Sequence, residues 1–73
     1  MGDVMVTATQ TAPSTYVLDA PRVAQGQQFT AHGNTFHIVG EPIAAGWNSA
    51  TVRVREVGGT HDGNEFAAYL HAR

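Results

Sequence analysis

Phe29-Thr30-Ala31-His32-Gly33-Asn34-Thr35-Phe36-His37-Ile38 is the stretch that decides the fold class of this chain. Phe29, Ala31, Phe36 and Ile38 are apolar, and Thr30, His32, Thr35 and His37 are polar. A two-residue turn at Gly33-Asn34 sets Ala31 against Phe36 and Phe29 against Ile38. All four apolar side chains then share one face, as the period of two in a strand requires. A slip of one residue would scatter them. A β-hairpin is therefore expected over Gln27 to Val39, inside an all-β domain.

Working outward, Thr15 to Leu18 is β-branched and aromatic and reads as a strand. Asp19-Ala20-Pro21 ends it, and Arg22-Val23 leads to a turn near Gln25-Gly26. Gly40 to Asn48 is irregular: Pro42 cannot donate to a ladder, and Gly46 precedes the single tryptophan, Trp47. Ala50 to Val57 alternates again, with Val52 and Val54 on one face and Arg53 and Arg55 on the other. Gly58 to Gly63 is a glycine-rich loop. Asn64 to Arg73 fits two descriptions. As a strand it turns Phe66, Ala68 and Leu70 inward, pairs Val54 with Ala68 and Val52 with Leu70, and lays Arg53 beside Tyr69 in cation–π contact. As a helix, Asn64 caps it and Phe66, Tyr69 and Leu70 form a stripe. The strand is preferred, since so short a helix is marginal unless docked.

About five short strands with tight turns close most readily into a small barrel, which leaves no exposed sheet edges. The expected architecture is a five-stranded SH3-like or OB-like barrel over residues 15–73, preceded by an extended N-terminal arm, residues 1–14. Its core would draw on Phe29, Phe36, Ile38, Val52, Val54, Phe66 and Leu70, with Tyr16 or Leu18. Trp47 either covers the core as a lid, the preferred reading, or protrudes as a binding anchor.

At 73 residues the chain is one small domain, and it has no cysteine to form a disulfide or thiolate metal site. A partner surface is the expected supplement to so small a core. Net charge is −2, with Arg22, Arg53, Arg55 and Arg73 the only permanent cations. That is a thin footprint for nucleic acid, whose binding relies on clustered basic groups. Arg53, Arg55 and Tyr69 on one outer strand face are the only candidates for it. No apolar run approaches the ~20 residues of a membrane span. The first residues carry Asp3 and no basic or continuous apolar region, so a signal peptide is not expected and synthesis is expected to be cytoplasmic.

Catalytic and metal chemistry find no foothold. His32 and His37 share a hairpin face diagonally, but a zinc site needs three or four ligands and no third is implied. Ser14 and Ser49 lie outside any nucleophile elbow. His61-Asp62 lacks a nucleophile to serve, and Asp19, Glu41, Glu56 and Glu65 are scattered. Gly58-Gly59-Thr60 joins two strands, with no lysine to reach a phosphate. No catalytic, cofactor or metal residue is assigned, and the chain is expected not to be an enzyme.

Taken as a unit, His32 to Gly58 resembles the head-closure (head-to-tail stopper) proteins of tailed bacteriophages. The likeness is carried by Gly33, Phe36, Ile38, Val39, Gly40, Glu41, Pro42, Val52 and Val54, about a third of the chain. Those proteins are usually longer. The resemblance implies a non-enzymatic ring or lattice subunit at the phage head or head–tail interface, found in the virion and bound to itself or to other virion proteins. Under it Val4, Met5, Val6, Thr7 and Ala8 would add as a strand to a neighbour's sheet edge. The loop with Glu41, Pro42, Ile43 and Trp47 would contact the next protein, and a chain lacking residues 1–10 would keep a folded core. The alternative is a free-standing SH3-like module of a GC-rich bacterium that binds a peptide or protein.

Overall fold

The computed structural model describes residues 5–73. Seven strands follow one another: β1 (Met5–Ala12), β2 (Thr15–Leu18), β3 (Gln28–Ala31), β4 (Asn34–Ile38), β5 (Ile43–Gly46), β6 (Ser49–Val57) and β7 (Glu65–Ala72). Their order in the sheet is β4-β3-β1-β2-β7-β6-β5, and β4 also pairs with β6. That last pairing closes six strands into a barrel and leaves β5 outside the ring. Closure takes one strand more than expected because β1 belongs to the ring.

Met5–Thr7 runs parallel to Gln28–Thr30, and Ala8–Ala12 runs antiparallel to Thr15–Leu18. The segment expected as an arm is thus, from Met5, the wall between β2 and β3. Its alternation explains this placement: Val6 and Ala8 are buried in the core, while Thr7 and Thr9 face solvent. The C-terminal segment is the strand β7 and not a helix. Phe66, Ala68, Leu70 and Ala72 alternate with exposed residues, and β7 gains ladder bonds from both β2 and β6. Those two partners outweigh the marginal helix propensity of a ten-residue stretch.

Both hairpin registers differ from the expected ones by two residues. The β3–β4 turn is His32-Gly33, with φ of 54° and 78°, so Phe29 faces Phe36 and Ala31 faces Asn34. Two consecutive positive φ values are what a two-residue hairpin turn demands, and glycine meets that demand at Gly33 without a Cβ penalty. In β6–β7, Val52 faces Ala68 and Val54 faces Phe66. A shift of two preserves which face each side chain occupies, so every expected inward residue stays inward. It does part Arg53 from Tyr69: Tyr69 faces Thr51, and Arg53 faces Ala67.

The core alternates large and small. Leu18 lies between Ala8 and Ala72, Leu70 beside Ala50, and Val52 beside Ala68. Neighbouring strands with alternating bulk can converge without voids. At one end sits an aromatic cluster: Phe29 and Phe36 stack at 5.2 Å, Tyr16 lies 5.3 and 5.7 Å from them, and Phe66 meets Phe36 edge-on at 5.9 Å. Tyr16 and Leu18 are both buried. Trp47 is not a lid, for it is 87% exposed. No buried side-chain polar atom among the described residues lacks a hydrogen-bond partner.

Phe29 is fully buried and touches both Tyr16 and Phe36. Phe29→Ala is expected to cost about 3–5 kcal/mol, read from urea denaturation. Deleting residues 1–10 removes most of β1 and separates β2 from β3. We expect the truncated chain to lose its cooperative thermal transition; a transition near that of the full chain would contradict this topology.

Candidate functional site

β6 is nine residues long and keeps β7 along one side. On its other side it changes partner. Thr35–Ile38 of β4 pairs with Val54–Val57, and the Val39 N–H donates to the Arg53 carbonyl at 3.0 Å. Gly40-Glu41-Pro42 then bends the chain, and β5 pairs with Ser49–Thr51. β4 and β5 are two halves of one kinked strand facing β6. The β4 half is covered by β3. The β5 half has β6 on one side only among the described residues, so it is a sheet edge with unpaired backbone groups.

All four residues of β5 are exposed, Ile43 to 70%. No charged side chain occurs from Pro42 to Val52. Natural edges are commonly guarded by lysine or other charges; here only the preceding Pro42 and a bulge between Ala44 and Gly46 intervene. Ile43 lies in a cross-strand row with Thr51 and Tyr69, itself an exposed aromatic.

Trp47-Asn48 forms the β5–β6 turn. Asn48 takes a φ of 61°, a left-handed conformation that asparagine tolerates better than most residues. Two hydrogen bonds tie the turn to β7, and a third spans the turn itself. The Ala72 N–H donates to the Asn48 carbonyl at 2.7 Å, the Ser49 hydroxyl to the Trp47 carbonyl at 3.4 Å, and Ser49 Oγ shares a 2.7 Å bond with His71 Nδ1. The indole is therefore displayed in water on a fixed backbone. Ser49–His71 is a cross-strand tie: Ser49 is buried, and among the described residues no carboxylate is hydrogen-bonded to the imidazole.

Beside β5, where β3 does not reach, lies an open cleft of about 310 Å³. Ala44, Gly46 and Ala50 of the β5–β6 hairpin line it together with Arg22 and Val23 from the segment before β3. A second hollow of about 360 Å³ lies on the threonine face of β1, among Thr7, Thr9, Thr11 and Val17, with Asp19 and Arg73 at its rim, 3.6 Å apart. Neither gathers titratable groups into a catalytic arrangement. Among the described residues no three His, Asp or Glu side chains come together as metal ligands would.

Of the residues singled out by sequence, the structure brings Pro42, Ile43 and Trp47 onto one hairpin, with exposed Glu41 just before it. Val4 lies outside the described residues. Met5 begins β1, Val6 and Ala8 are core, and Thr7 faces solvent on the opposite wall. The cleft residues Arg22, Val23, Ala44 and Ala50 went unnoticed, because small and apolar side chains carry no chemical signature in one dimension. Arg53 and Arg55 both turn to Glu65, with Arg53 Nε at 3.1 Å and Arg55 Nη2 at 2.6 Å from its carboxylate. The pair is a partly neutralised surface network and a weak phosphate footprint.

No protein-family model matches the chain, and neither a curated protein nor a solved structure is significantly similar to it.

Hydrogen bonds from Arg55 and then Arg53 hold the Glu65 carboxyl below its ordinary value of 4.5. A depressed carboxyl stabilises the fold above its unfolded-state value, and that contribution disappears as pH falls through the folded-state value. The urea midpoint of the native chain should fall more steeply below pH 4.5 than that of Glu65→Gln. Parallel acid profiles for the two would show the network to be without effect.

Proposed function

We propose that this chain is a non-enzymatic assembly protein that acts through protein–protein contacts of its 41–48 hairpin. The observation that carries the reading is Trp47, 87% exposed on a turn that three hydrogen bonds hold in place. An ordered backbone presenting an unburied indole is costly in water and is characteristic of interface anchors. The adjoining β5 edge offers main-chain hydrogen bonds to a strand from the partner, with small side chains that let it approach.

The setting we propose is the virion of a tailed phage, at the head or the head–tail interface, where a small barrel is one subunit among many. The likeness of residues 32–58 to head-closure proteins supports that setting, and the exposed hairpin supplies the contact it requires. The docking role falls on the hairpin, since Val6 and Ala8 are engaged in the chain's own core. That self-contained core favours a second reading, a free-standing module that binds a protein or peptide along the same edge.

Co-expression of the tagged chain with the products of the genes flanking its own tests both. An assembly subunit should co-purify in fixed stoichiometry with one of them, and Trp47→Ala should abolish the complex while leaving the thermal transition in place. A chain that co-purifies with none of them overturns the assembly reading, and a complex that survives Trp47→Ala removes the hairpin from that contact. Binding to a soluble host protein through Trp47 selects the module.

A further inference from the structure

The β5 hairpin combines features that fit one another when the element is turned through 180°. Its edge is four residues long, its tip carries an indole, and the cleft beside it is lined by Ala44, Gly46 and Ala50. Gly46 is instructive. Its φ is not positive, and a Cβ built there meets nothing within 4 Å. Neither backbone conformation nor packing within the chain requires glycine at this position. Two reasons for a glycine remain, the bulge between Ala44 and Gly46 and the close approach of another backbone, and the second is the one a paired edge would use.

Resting on the assembly reading above, we propose that the occupant of this edge is a second copy of the chain, its β5 running antiparallel to the first across a two-fold axis. In such a contact every group near the axis meets its own copy, so a charge there would face itself. None exists from Pro42 to Val52. The nearest charged residues in the chain and across the cleft, Glu41 and Arg22, are of opposite sign, and neither is ion-paired among the described residues. They can therefore meet across the axis without repulsion. Antiparallel pairing carries the Trp47 end of each β5 to the Pro42-Ile43 end of the other. The most exposed large apolar side chains of the described residues, Trp47 and Ile43, are then covered together.

The contact is small. Two tryptophans bury roughly 300–500 Å² between them, and the four-residue edges add little, so the total stays below the ~1,200 Å² of a standard interface. The pairing is therefore weak and concentration-dependent when the protein is alone, and is reinforced by multivalency within an assembly.

Sedimentation velocity on the purified chain, from micromolar to about 1 mM, reads this directly, since a weak contact saturates only near that concentration. A monomer–dimer equilibrium is expected, with amides of Ile43–Gly46 gaining hydrogen-exchange protection as the dimer forms. Trp47→Ala and Gly46→Val should each raise the dissociation constant about tenfold or more. Gly46→Val fills open space, so its thermal transition should stay near that of the native chain. A chain monomeric at the highest concentration overturns the pairing, as does a dimer unaffected by both substitutions. Either result leaves the co-purification test intact, so the two readings fail separately.

Discussion

Closure of this barrel depends on one exchange of partners along β6. Residues Val54–Val57 bond to β4, and the ring is complete there; residues Ser49–Thr51 bond to β5, and the ring is left open beside them. The kink at Gly40-Glu41-Pro42 separates the two regimes. With it, the inner half of the strand closes a core and the outer half projects as an edge. Core closure and an exposed sheet edge thus come from the two halves of the same strand.

Closure also answers the difficulty posed by size. A short chain buries a smaller share of its surface than a large one, and this one has neither disulfide nor metal ligand cluster among its described residues to offset that. Six strands with alternating bulk solve it by removing edges and by drawing the walls together over alanines. Leu18, Phe29, Ile38, Val54 and Leu70 are fully buried as a result. Two of the ring contacts, β1–β3 and β2–β7, are parallel and distant in sequence. Such contacts form late and slowly, since long loops must close before they contribute.

Much of this was legible in the sequence, and the limit of legibility has a physical origin. Alternation of apolar and polar residues reports the face of a side chain, and face has a period of two. Thus Phe29, Phe36, Val52, Val54 and Leu70 were identifiable as core even though both hairpin registers lie two residues from the pairing that the pattern first offers. Register itself is set by turn chemistry, here by left-handed His32 before Gly33, which the pattern does not encode. Long-range neighbours are less legible still. Nothing local distinguishes Val6 and Ala8 as a strand for a neighbouring molecule from Val6 and Ala8 as a wall of the same barrel. Only the unfilled position between β2 and β3 decides it. The 41–48 segment was legible as a contact candidate through its irregularity and Trp47, while its cleft was not.

Trp47 then poses the sharpest contrast in the molecule. A chain with so few large apolar side chains places Phe29, Phe36, Tyr16 and Leu70 inside and leaves its single indole in water. Flexibility does not account for this, because Asn48 in the turn and Ser49 just after it are both bonded to β7. Position does: the turn lies beyond the stretch of β6 that β4 covers, and the indole is left 87% exposed. Replacing it with a polar residue would disturb none of the core contacts, and solvation alone would favour that replacement. Its presence beside an edge that carries no charge from Pro42 to Val52 is the observation on which the proposed docking role of the hairpin rests.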